Sequence, residues 1–353
     1  MGDVHHFTLP RDFIIGNGVL KQVGRVFVNY WRPDKTKVLV VTGPRIYRLL
    51  FDNLAESLGK SGFNVEVYKA EKATVSIAED LEDIARRGGF DVIVGFGGGK
   101  SIDLAKYASK NLQADFVSIP TAASHDGITS PFASLKGFNK PISVRAKVPT
   151  LILLDAEIIS KAPSRLNRAG MGDILGKWSA VLDWRLAHKL RNEYYGEYAA
   201  SLALLSFKHV VSNGREIATW RPDGVRILLE ALVSSGVAMC IAGSSRPASG
   251  SEHLFSHALD MVAKRPALHG EQVALGSIMM LYIHGKNWRR VRTVMKTVGL
   301  PTTAHELGVS DVEILEALTI AHKIRPERYT ILGEKGLTWE AAEKIARVTG
   351  VIS

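Results

Sequence analysis

Hydrophobic and polar positions in the first half of the chain follow two alternating patterns. Short apolar runs rich in β-branched residues, typical of buried strands, alternate with segments in which apolar residues recur every three to four positions. The strand-like runs are KVLVVTG (37–43), NVEVYKA (64–70), DVIVGFGGG (91–99), DFVSIPT (115–121) and TLILLD (150–155). This alternation predicts a mostly parallel sheet with helices on both faces. We expect an antiparallel excursion over residues 131–148.

The second half has a different pattern. From SRLNRAGMGDILGKWSAVLDWRLAH (164–188) onward the period is helical, and the interruptions are NGRE, GSSRPASG and RPALHG rather than strand-like runs. The chain is therefore expected to have an α/β fold. We predict a Rossmann-like dinucleotide-binding domain over residues 1–159 and an all-helical domain over residues 160–353.

Composition and charge exclude several classes of protein. A chain of 353 residues, 46% hydrophobic and 23% charged, is long enough for about two domains and is unlike disordered chains. Its single cysteine, Cys240, rules out an internal disulfide and predicts a cytoplasmic location. Apolar runs such as VPTLILLDA are far shorter than the ~20 residues of a membrane-spanning helix, so no integral membrane segment is expected. The formal charge of +10 is spread along the chain, which argues against a nucleic-acid partner.

A glycine turn joins a predicted strand to a predicted helix in GFGGGKSIDLAK (95–106). Three consecutive glycines, Gly97 to Gly99, let the backbone approach a phosphate while the amides of the helix start point at it, which favours a pyrophosphate site. The segment lacks the G-x-G-x-x-G fingerprint, and Val94 stands where a P-loop has its first glycine. The alternative is a tight turn without a ligand, in which Asp103 is an ordinary first-turn acid.

The next strand runs into small hydroxyl residues in IPTAASHDGITSPFASL (119–135). Ligands of open α/β sheets bind beyond the carboxyl ends of the strands, where this segment is expected to lie. Thr121, Ser124 and Ser130 are therefore candidates for cofactor binding, and Asp126 is a candidate acceptor for a substrate hydroxyl. A polar loop with an Asx-turn at HDG is the alternative.

Three histidines fall within SEHLFSHALDMVAKRPALHGE (251–271). His253 and His257 share one face of a predicted helix, and His269 begins the next helix. Two neighbouring helices can direct imidazoles to one point, as a zinc or iron site requires, if a carboxylate comes from elsewhere. Asp173, predicted to begin a helix, is the best candidate. The alternatives are histidines buried in a core and an aspartate that caps its helix.

Six segments together resemble the sn-glycerol-1-phosphate dehydrogenases of archaea. They are, in chain order, GGGKSIDLAK, IPTAASHDGITSPFASL, GMGDILGKWSAVLDW, GSEHLFSHALD, ALHGEQVALG and IRPERYTIL. The resemblance begins near Arg11 and covers nearly the whole chain. The wider superfamily that it resembles also contains glycerol dehydrogenases, iron-dependent alcohol dehydrogenases and dehydroquinate synthases.

The resemblance implies a role for each candidate residue. The metal would be zinc, held by Asp173, His253 and His269 in a cleft between the two domains. His257, Asp126 and Asp173 would contact the substrate and act in catalysis. The dinucleotide, NAD(H) or NADP(H), would be bound by Gly98, Gly99, Lys100, Ser101, Ile102, Asp103, Thr121, Ala122, Ala123, Ser124 and Ser130.

The reaction implied by the resemblance is the NAD(P)H-linked reduction of dihydroxyacetone phosphate to sn-glycerol 1-phosphate, for the backbone of archaeal ether phospholipids. Zinc would polarise the ketone oxygen, and the proton would arrive through His257 or a water, because histidine has an ordinary pKa of ~6.5. Lys177, Arg325 and Arg328 are candidates to bind the substrate phosphate. The alternatives are a glycerol dehydrogenase that acts on unphosphorylated polyols and a non-catalytic nucleotide-binding regulator.

Departures from the superfamily pattern narrow the choice. Iron-dependent alcohol dehydrogenases usually have a ligand histidine four residues after the aspartate, where this chain has Lys177, and this difference disfavours iron. Dehydroquinate synthases have a glutamate in place of Asp173. Gly43 and Arg45, rather than a carboxylate, follow the first of the predicted strands, so we expect NADPH to be accepted alongside NADH. Members of the family form homo-oligomers, and the same is expected here.

Overall fold

The structure is a computed structural model that describes residues 5–137 and 143–353. The chain forms two compact units. The first consists of Met1–Ala123, Gly127–Ser164 and Arg221–Leu229, and the second consists of Ser124–Asp126, Arg165–Trp220 and Glu230–Ser353.

The first unit contains two sheets. Its strands are β1 (Asp12–Gly16), β2 (Lys37–Thr42), β3 (Asn64–Lys69), β4 (Val92–Gly97), β5 (Asp115–Pro120), β6 (Phe132–Ser134), β7 (Ser143–Arg145) and β8 (Leu151–Asp155). Six of them form one sheet in the order β1-β8-β5-β4-β2-β3, in which every pair is parallel, and β6 and β7 form an antiparallel pair. The predicted parallel sheet is therefore confirmed. The pairing of β6 with β7 also confirms the antiparallel excursion predicted over residues 131–148. Residues 138–142 of that excursion lie outside the described residues.

Helices pack on both faces of the large sheet. They are α1 (Val23–Phe27), α2 (Pro44–Gly59), α3 (Val75–Gly88), α4 (Gly99–Ala108) and α5 (Ala156–Ser160). Successive residues of β2 alternate between two cores: Val38 and Val40 pack in one core with residues of α1 and α2, while Leu39 and Val41 pack in the other with residues of α3 and α4. Burial on both faces explains why these strands are continuous apolar runs in the sequence. β1 lies at the sheet edge and all its residues are half-buried, so it gives no such signal.

From residue 164 onward, the described chain contains helices and irregular segments and no strand, as predicted for the second half. The helices are α6 (Ser164–Leu175), α7 (Lys177–Arg191), α8 (Glu197–Ser212), α9 (Gly214–Ile217), α10 (Pro222–Ala242), α11 (Ser251–Val262), α12 (His269–Ile283), α13 (Trp288–Val298), α14 (Ala304–Leu307), α15 (Asp311–Ile320) and α16 (Trp339–Val348). Gly270–Leu281 of α12 are buried without exception, as in the central helix of a bundle.

Helix α10 is long and apolar enough to cross a membrane by length and composition alone, with a mean hydropathy of 1.8 in its most apolar window. The expectation that every apolar segment is too short to span a membrane was therefore wrong for residues 222–242. Of that window, 61% is buried inside the protein, and core helices of globular proteins pass the same test. The helix is therefore weak support for a membrane span.

Candidate active site

The glycine turn lies between β4 and α4 in the first unit. Gly98 is the N-cap of α4, and Gly97 has a φ of 145°, in a region that favours glycine. A Cβ added to Gly97 would lie 2.9 Å from Oγ of Ser101, whereas a Cβ added to Gly98 would meet no atom of the described residues within 4 Å. The turn therefore exposes open backbone at the amino end of a helix, as a phosphate site requires.

Thr121 follows β5 and lies at the same edge of the sheet as the glycine turn. Gly97 and Pro120 are register partners, and the amide of Thr121 donates to the carbonyl of Gly97 over 2.9 Å. The first unit thus brings together the candidate cofactor residues Gly98–Asp103 and Thr121–Ala123. Ser124 belongs to the second unit.

The carboxylate of Asp103 is already used within the protein. Its Oδ1 accepts a hydrogen bond from the fully buried Lys106, and its Oδ2 accepts one from the amide of Ser134. Lys106 also donates to the carbonyls of Gly127 and Phe132, so this ion pair ties α4 to the loop after β5. Asp103 is not in the first turn of α4, which overturns its interpretation as a first-turn acid.

In the second unit, Asp173, His253 and His269 converge. One ligand atom from each lies within 4.8 Å of the others, and the rings of His253 and His269 have centroids 5.0 Å apart. Asp173 and His253 are buried, and His269 is half-buried. Two imidazoles and a carboxylate are the donor set of many zinc sites, so these residues could hold a divalent metal.

Asp173 reaches this position from the end of a helix. The prediction that it begins a helix was wrong: it lies in the last turn of α6, and α7 begins at Lys177 after a single intervening glycine, Gly176. The glycines that suggested a helix start are contact positions instead. A Cβ on Gly172 would lie 2.2 Å from the carbonyl oxygen of Gly270, so only glycine lets α6 approach α12 this closely. Asp173 and His269 are the neighbours of these two glycines.

A hydrogen-bond chain sets the tautomer of His269. Nε2 of Gln272 donates to Asp260, so its Oε1 accepts from the hydroxyl of Ser256 over 2.7 Å. Oγ of Ser256 then accepts from Nδ1 of His269 over 3.0 Å. The lone pair of His269 is therefore on Nε2, as a metal ligand needs. Burial, followed by the charge of His253, lowers the pKa of His269, which keeps the imidazole neutral.

His253 is held by a carboxylate that the sequence analysis did not identify. Its Nδ1 donates to Oε1 of Glu252 over 2.8 Å, and Glu252 is fully buried with two further donors, the amide of Gly250 and the hydroxyl of Ser179. Burial opposes protonation of His253, but its hydrogen bonds to Asp173 and Glu252 outweigh that effect and raise its pKa. Direct adjacency to a candidate ligand was the available sequence signal for Glu252.

Lys177 links two carboxylates at this site. Its fully buried ammonium group donates to Asp173 and Asp126, each over 2.8 Å, and to the carbonyl of Ala248 over 3.2 Å. Burial opposes the charge, but the two carboxylates raise the pKa of Lys177 above its ordinary value. Three acceptors account for all three protons, so in this arrangement Lys177 has no donor left for a substrate phosphate.

Asp126 belongs to the second unit and contacts Asp173, Lys177 and Ser235 there. Its amide donates to Oδ2 of Asp173 over 2.9 Å, and its own Oδ2 also accepts from the hydroxyl of Ser235 over 2.7 Å. Burial opposes ionisation of Asp173, but Lys177 and then His253 lower its pKa well below the ordinary value. The structure therefore places Asp126 directly beside Asp173.

His257 is buried beside the three converging residues. Its ring lies 5.6 Å from the ring of His269, and its Nδ1 has no hydrogen-bond partner among the described residues. Burial, followed by the positive charges of His253, Arg325 and Arg328, lowers its pKa to about 3. The expectation of proton exchange near an ordinary pKa is therefore wrong for this arrangement, because His257 is a neutral imidazole at pH 7.

Part of the chain matches a known family, and its fold matches solved structures. Residues 14–163 match the family described as iron-containing alcohol dehydrogenase. A probable glycerol dehydrogenase from Sinorhizobium meliloti 1021 superposes with a TM-score of 0.78 at 22% identity, covering 98% of each chain. An iron-containing alcohol dehydrogenase from Thermococcus thioreducens gives 0.75 at 15% identity, covering 98% of this chain and 99% of that one. At such identities the likeness establishes the fold alone.

Relatives in sequence are much more similar. A protein of Aeropyrum pernix named glycerol-1-phosphate dehydrogenase (NAD(P)+) is 61% identical over 348 residues, which cover 99% of each chain. A protein of Staphylothermus marinus with the same name is 55% identical over 350 residues, again 99% of each chain. These alignments extend over both units.

Proposed function

This chain belongs to the glycerol-1-phosphate dehydrogenase family, and we propose that it reduces dihydroxyacetone phosphate to sn-glycerol 1-phosphate with NAD(P)H, for the synthesis of archaeal ether phospholipids. The observation that carries this proposal is the convergence of Asp173, His253 and His269 within 4.8 Å, in a chain 61% identical to a protein of that name. The reaction balances as transfer of a hydride from the nicotinamide to the ketone carbon and of a proton to its oxygen.

Zinc is the metal that we propose for this site. Asp173, His253 and His269 would hold it, and the tautomer of His269 and the carboxylate behind His253 both suit such a ligand role. When bound, zinc supplies a Lewis acid that polarises the ketone oxygen and stabilises an alkoxide. Lys177, in place of the fourth ligand expected of the iron enzymes, pairs with both neighbouring carboxylates.

The remaining residues of the site would orient the substrate. Asp126 is held in place by Lys177 and Ser235 and would accept a hydrogen bond from the free hydroxyl of the ketone. His257 is neutral and its Nδ1 has no partner in the part of the chain that the structure describes, so it would hydrogen-bond the reacting oxygen or the hydroxyl beside it. Because its pKa is low, the proton that finally reaches the alkoxide would come from water through His257 rather than from a stored imidazolium.

The dinucleotide would bind to the first unit. Open backbone at Gly98, the amides that begin α4, and Thr121 at the end of the neighbouring strand support a pyrophosphate position there. Ile102, Ala122, Ala123, Ser124 and Ser130 are included in the proposed binding set through the family resemblance. β2 is followed by Gly43 and an exposed Arg45 rather than by a carboxylate, which supports acceptance of NADPH alongside NADH. An absolute requirement for NADH in initial-rate assays would refute the proposed acceptance of NADPH.

Two assays test the proposed reaction. Oxidation of NADH is compared with dihydroxyacetone phosphate and with unphosphorylated dihydroxyacetone, and the chirality of the glycerol phosphate produced is determined. We expect the phosphorylated ketone to give the higher kcat/KM and the product to be the sn-1 isomer. A preference for dihydroxyacetone would indicate a glycerol dehydrogenase, and the sn-3 isomer would overturn the assignment.

A third assay tests the metal and separates an enzyme from a non-catalytic nucleotide-binding regulator. The purified protein is analysed for bound metal, stripped with a chelator and reloaded with zinc or with ferrous iron. We expect zinc in the untreated protein, loss of activity on stripping, and recovery with zinc. Retention of full activity without metal would refute the proposed site.

A further inference from the structure

A long irregular segment, residues 324–338, lies between a short 3-10 helix (Ala321–Lys323) and α16. Its backbone is held firmly: the carbonyl of Tyr329 accepts from Arg246, and the amide of Ile331 donates to the buried carboxylate of Asp183. In compact proteins, long loops without regular structure are usually either functional or disordered, and these hydrogen bonds favour a functional loop. This segment also carries Arg325 and Arg328.

The two arginines share one turn that is attached close to the metal-binding residues. The amide of Arg328 donates to the carbonyl of Arg325 over 2.9 Å, and Nη1 of Arg328 donates to the carbonyl of Ser249 over 2.7 Å. Ala248, the residue before Ser249, accepts from Lys177, which also binds Asp173. Ala248 and Ser249 are adjacent in the chain. The carbonyl of Ala248 therefore binds Lys177, which lies beside Asp173, and the carbonyl of Ser249 binds the guanidinium of Arg328.

Positive charge at this turn exceeds the negative charge that faces it. Arg246 forms a two-pronged ion pair with Glu193, and Glu327 is the acidic neighbour of Arg325. Arg328, in contrast, hydrogen-bonds only the neutral oxygens of Ser249 and Ser245 among the described residues. Burial, followed by the charges of Arg325 and Arg246, lowers the pKa of Arg328 to about 9. A buried guanidinium under such repulsion is stabilised by an anion.

His257 lies within the electrostatic field of both arginines, in the same unit, and its Nδ1 has no partner within residues 5–137 and 143–353. In dihydroxyacetone phosphate, three covalent bonds separate the ketone carbon from phosphorus. A phosphate held at this turn would therefore keep the ketone close to His257 and to the three converging residues.

We propose that Arg325 and Arg328 form the subsite for the phosphate of the substrate, and that they make the protein selective for a phosphorylated over an unphosphorylated ketone. This inference rests on the proposed function and names its specificity-determining residues. Arg246 acts as a positioning residue, because its bond to the carbonyl of Tyr329 holds the segment in place.

The test compares Arg325→Met and Arg328→Lys with the unaltered protein on two substrates. Loss of a charge-assisted hydrogen bond weakens binding about 10- to 100-fold, so kcat/KM for dihydroxyacetone phosphate should fall by that factor in each variant. The value for unphosphorylated dihydroxyacetone should change less than about threefold. At position 325, Arg325→Lys keeps the charge but loses the bidentate fork, so its loss should be smaller than that of Arg325→Met. Arg290→Met removes an exposed arginine of the same unit and should change neither value.

Binding of inorganic phosphate provides a readout that is independent of catalysis. In calorimetric titrations, phosphate should bind to the unaltered protein and to Arg290→Met but at least about tenfold more weakly to Arg325→Met and Arg328→Lys. Equal losses on both ketones, or undiminished phosphate binding by the variants, would overturn the subsite. If the unaltered protein binds phosphate through these arginines but does not reduce dihydroxyacetone phosphate, the proposed function fails and the anion site stands.

Discussion

At the scale of single residues, the candidate metal site depends on side chains behind the ligands. Glu252 accepts a hydrogen bond from Nδ1 of His253, and further bonds from Gly250 and Ser179 hold this carboxylate in place behind the ring. We expect Glu252→Gln to weaken metal binding about 10- to 100-fold, because the amide can no longer accept all three hydrogen bonds. Titration with a competing metal indicator measures the change.

Glu316→Gln is the matched control for this substitution, because Glu316 is exposed on α15 and lies far along the chain from the ligands. It should leave metal affinity unchanged. Metal affinity that is equal in Glu252→Gln and the unaltered protein would show that the buried carboxylate has only a structural role.

At the scale of elements, the approach of α6 to α12 decides whether Asp173 and His269 meet. We expect Gly172→Ala to lower the free energy of unfolding by about 1–3 kcal/mol and to reduce metal affinity, because the added Cβ must displace the backbone of Gly270. Thermal unfolding and metal content measure the two effects. In Gly214→Ala the Cβ meets only an ordinary contact at 3.5 Å, and both properties should stay the same. A stable, metal-loaded Gly172→Ala protein would contradict this account.

The glycine turn before α4 allows a test of the phosphate interpretation against a turn without a ligand. A Cβ on Gly98 has open space, so Gly98→Ala should change the free energy of unfolding by less than about 1 kcal/mol. If the dinucleotide approaches this backbone, its affinity should nevertheless fall about tenfold or more, which is about 1.4 kcal/mol. Fluorescence titration with NADH and NADPH measures it, and Gly59→Ala, also in open space, is the control. Unchanged affinity would favour the purely structural turn.

At the scale of the whole molecule, metal and folding are expected to be linked. A ligand that binds only the folded state stabilises it by about 2.7 kcal/mol at a hundredfold excess over its Kd. Stripping the metal should therefore lower the midpoint of thermal unfolding by a few degrees, and added zinc should restore it. In Asp173→Asn, which lacks the carboxylate ligand, the midpoint of thermal unfolding should not respond to zinc. A midpoint that is insensitive to metal in the unaltered protein would indicate that no such site is built.

Helix α10 gives a second prediction at this scale. Because 61% of its apolar window is buried, we expect the protein to remain in the supernatant after high-speed centrifugation of a lysate made without detergent. Recovery in the membrane pellet would contradict this. Light scattering on the same fraction tests the predicted homo-oligomer.

Much of the secondary structure was predictable because strands buried on both faces leave continuous apolar runs, as in β2, β4 and β5. β1 was missed because its residues are half-buried. Asp173 was assigned to the wrong end of its helix, because a glycine before an aspartate resembles a helix start. In the structure that glycine is needed for contact with α12, which no local pattern reveals.

The sequence alone determined the alternation of strands and helices, the residue types available for a metal and the family resemblance, since periodicity and motifs are local properties of the chain. Tertiary structure decided which groups meet. Asp126 joined Lys177 and Asp173, Glu252 supported His253, and Lys106 took the carboxylate of Asp103. Such pairings depend on burial, because removing a charge from water forces it to find a partner, and burial is defined only once the helices have packed.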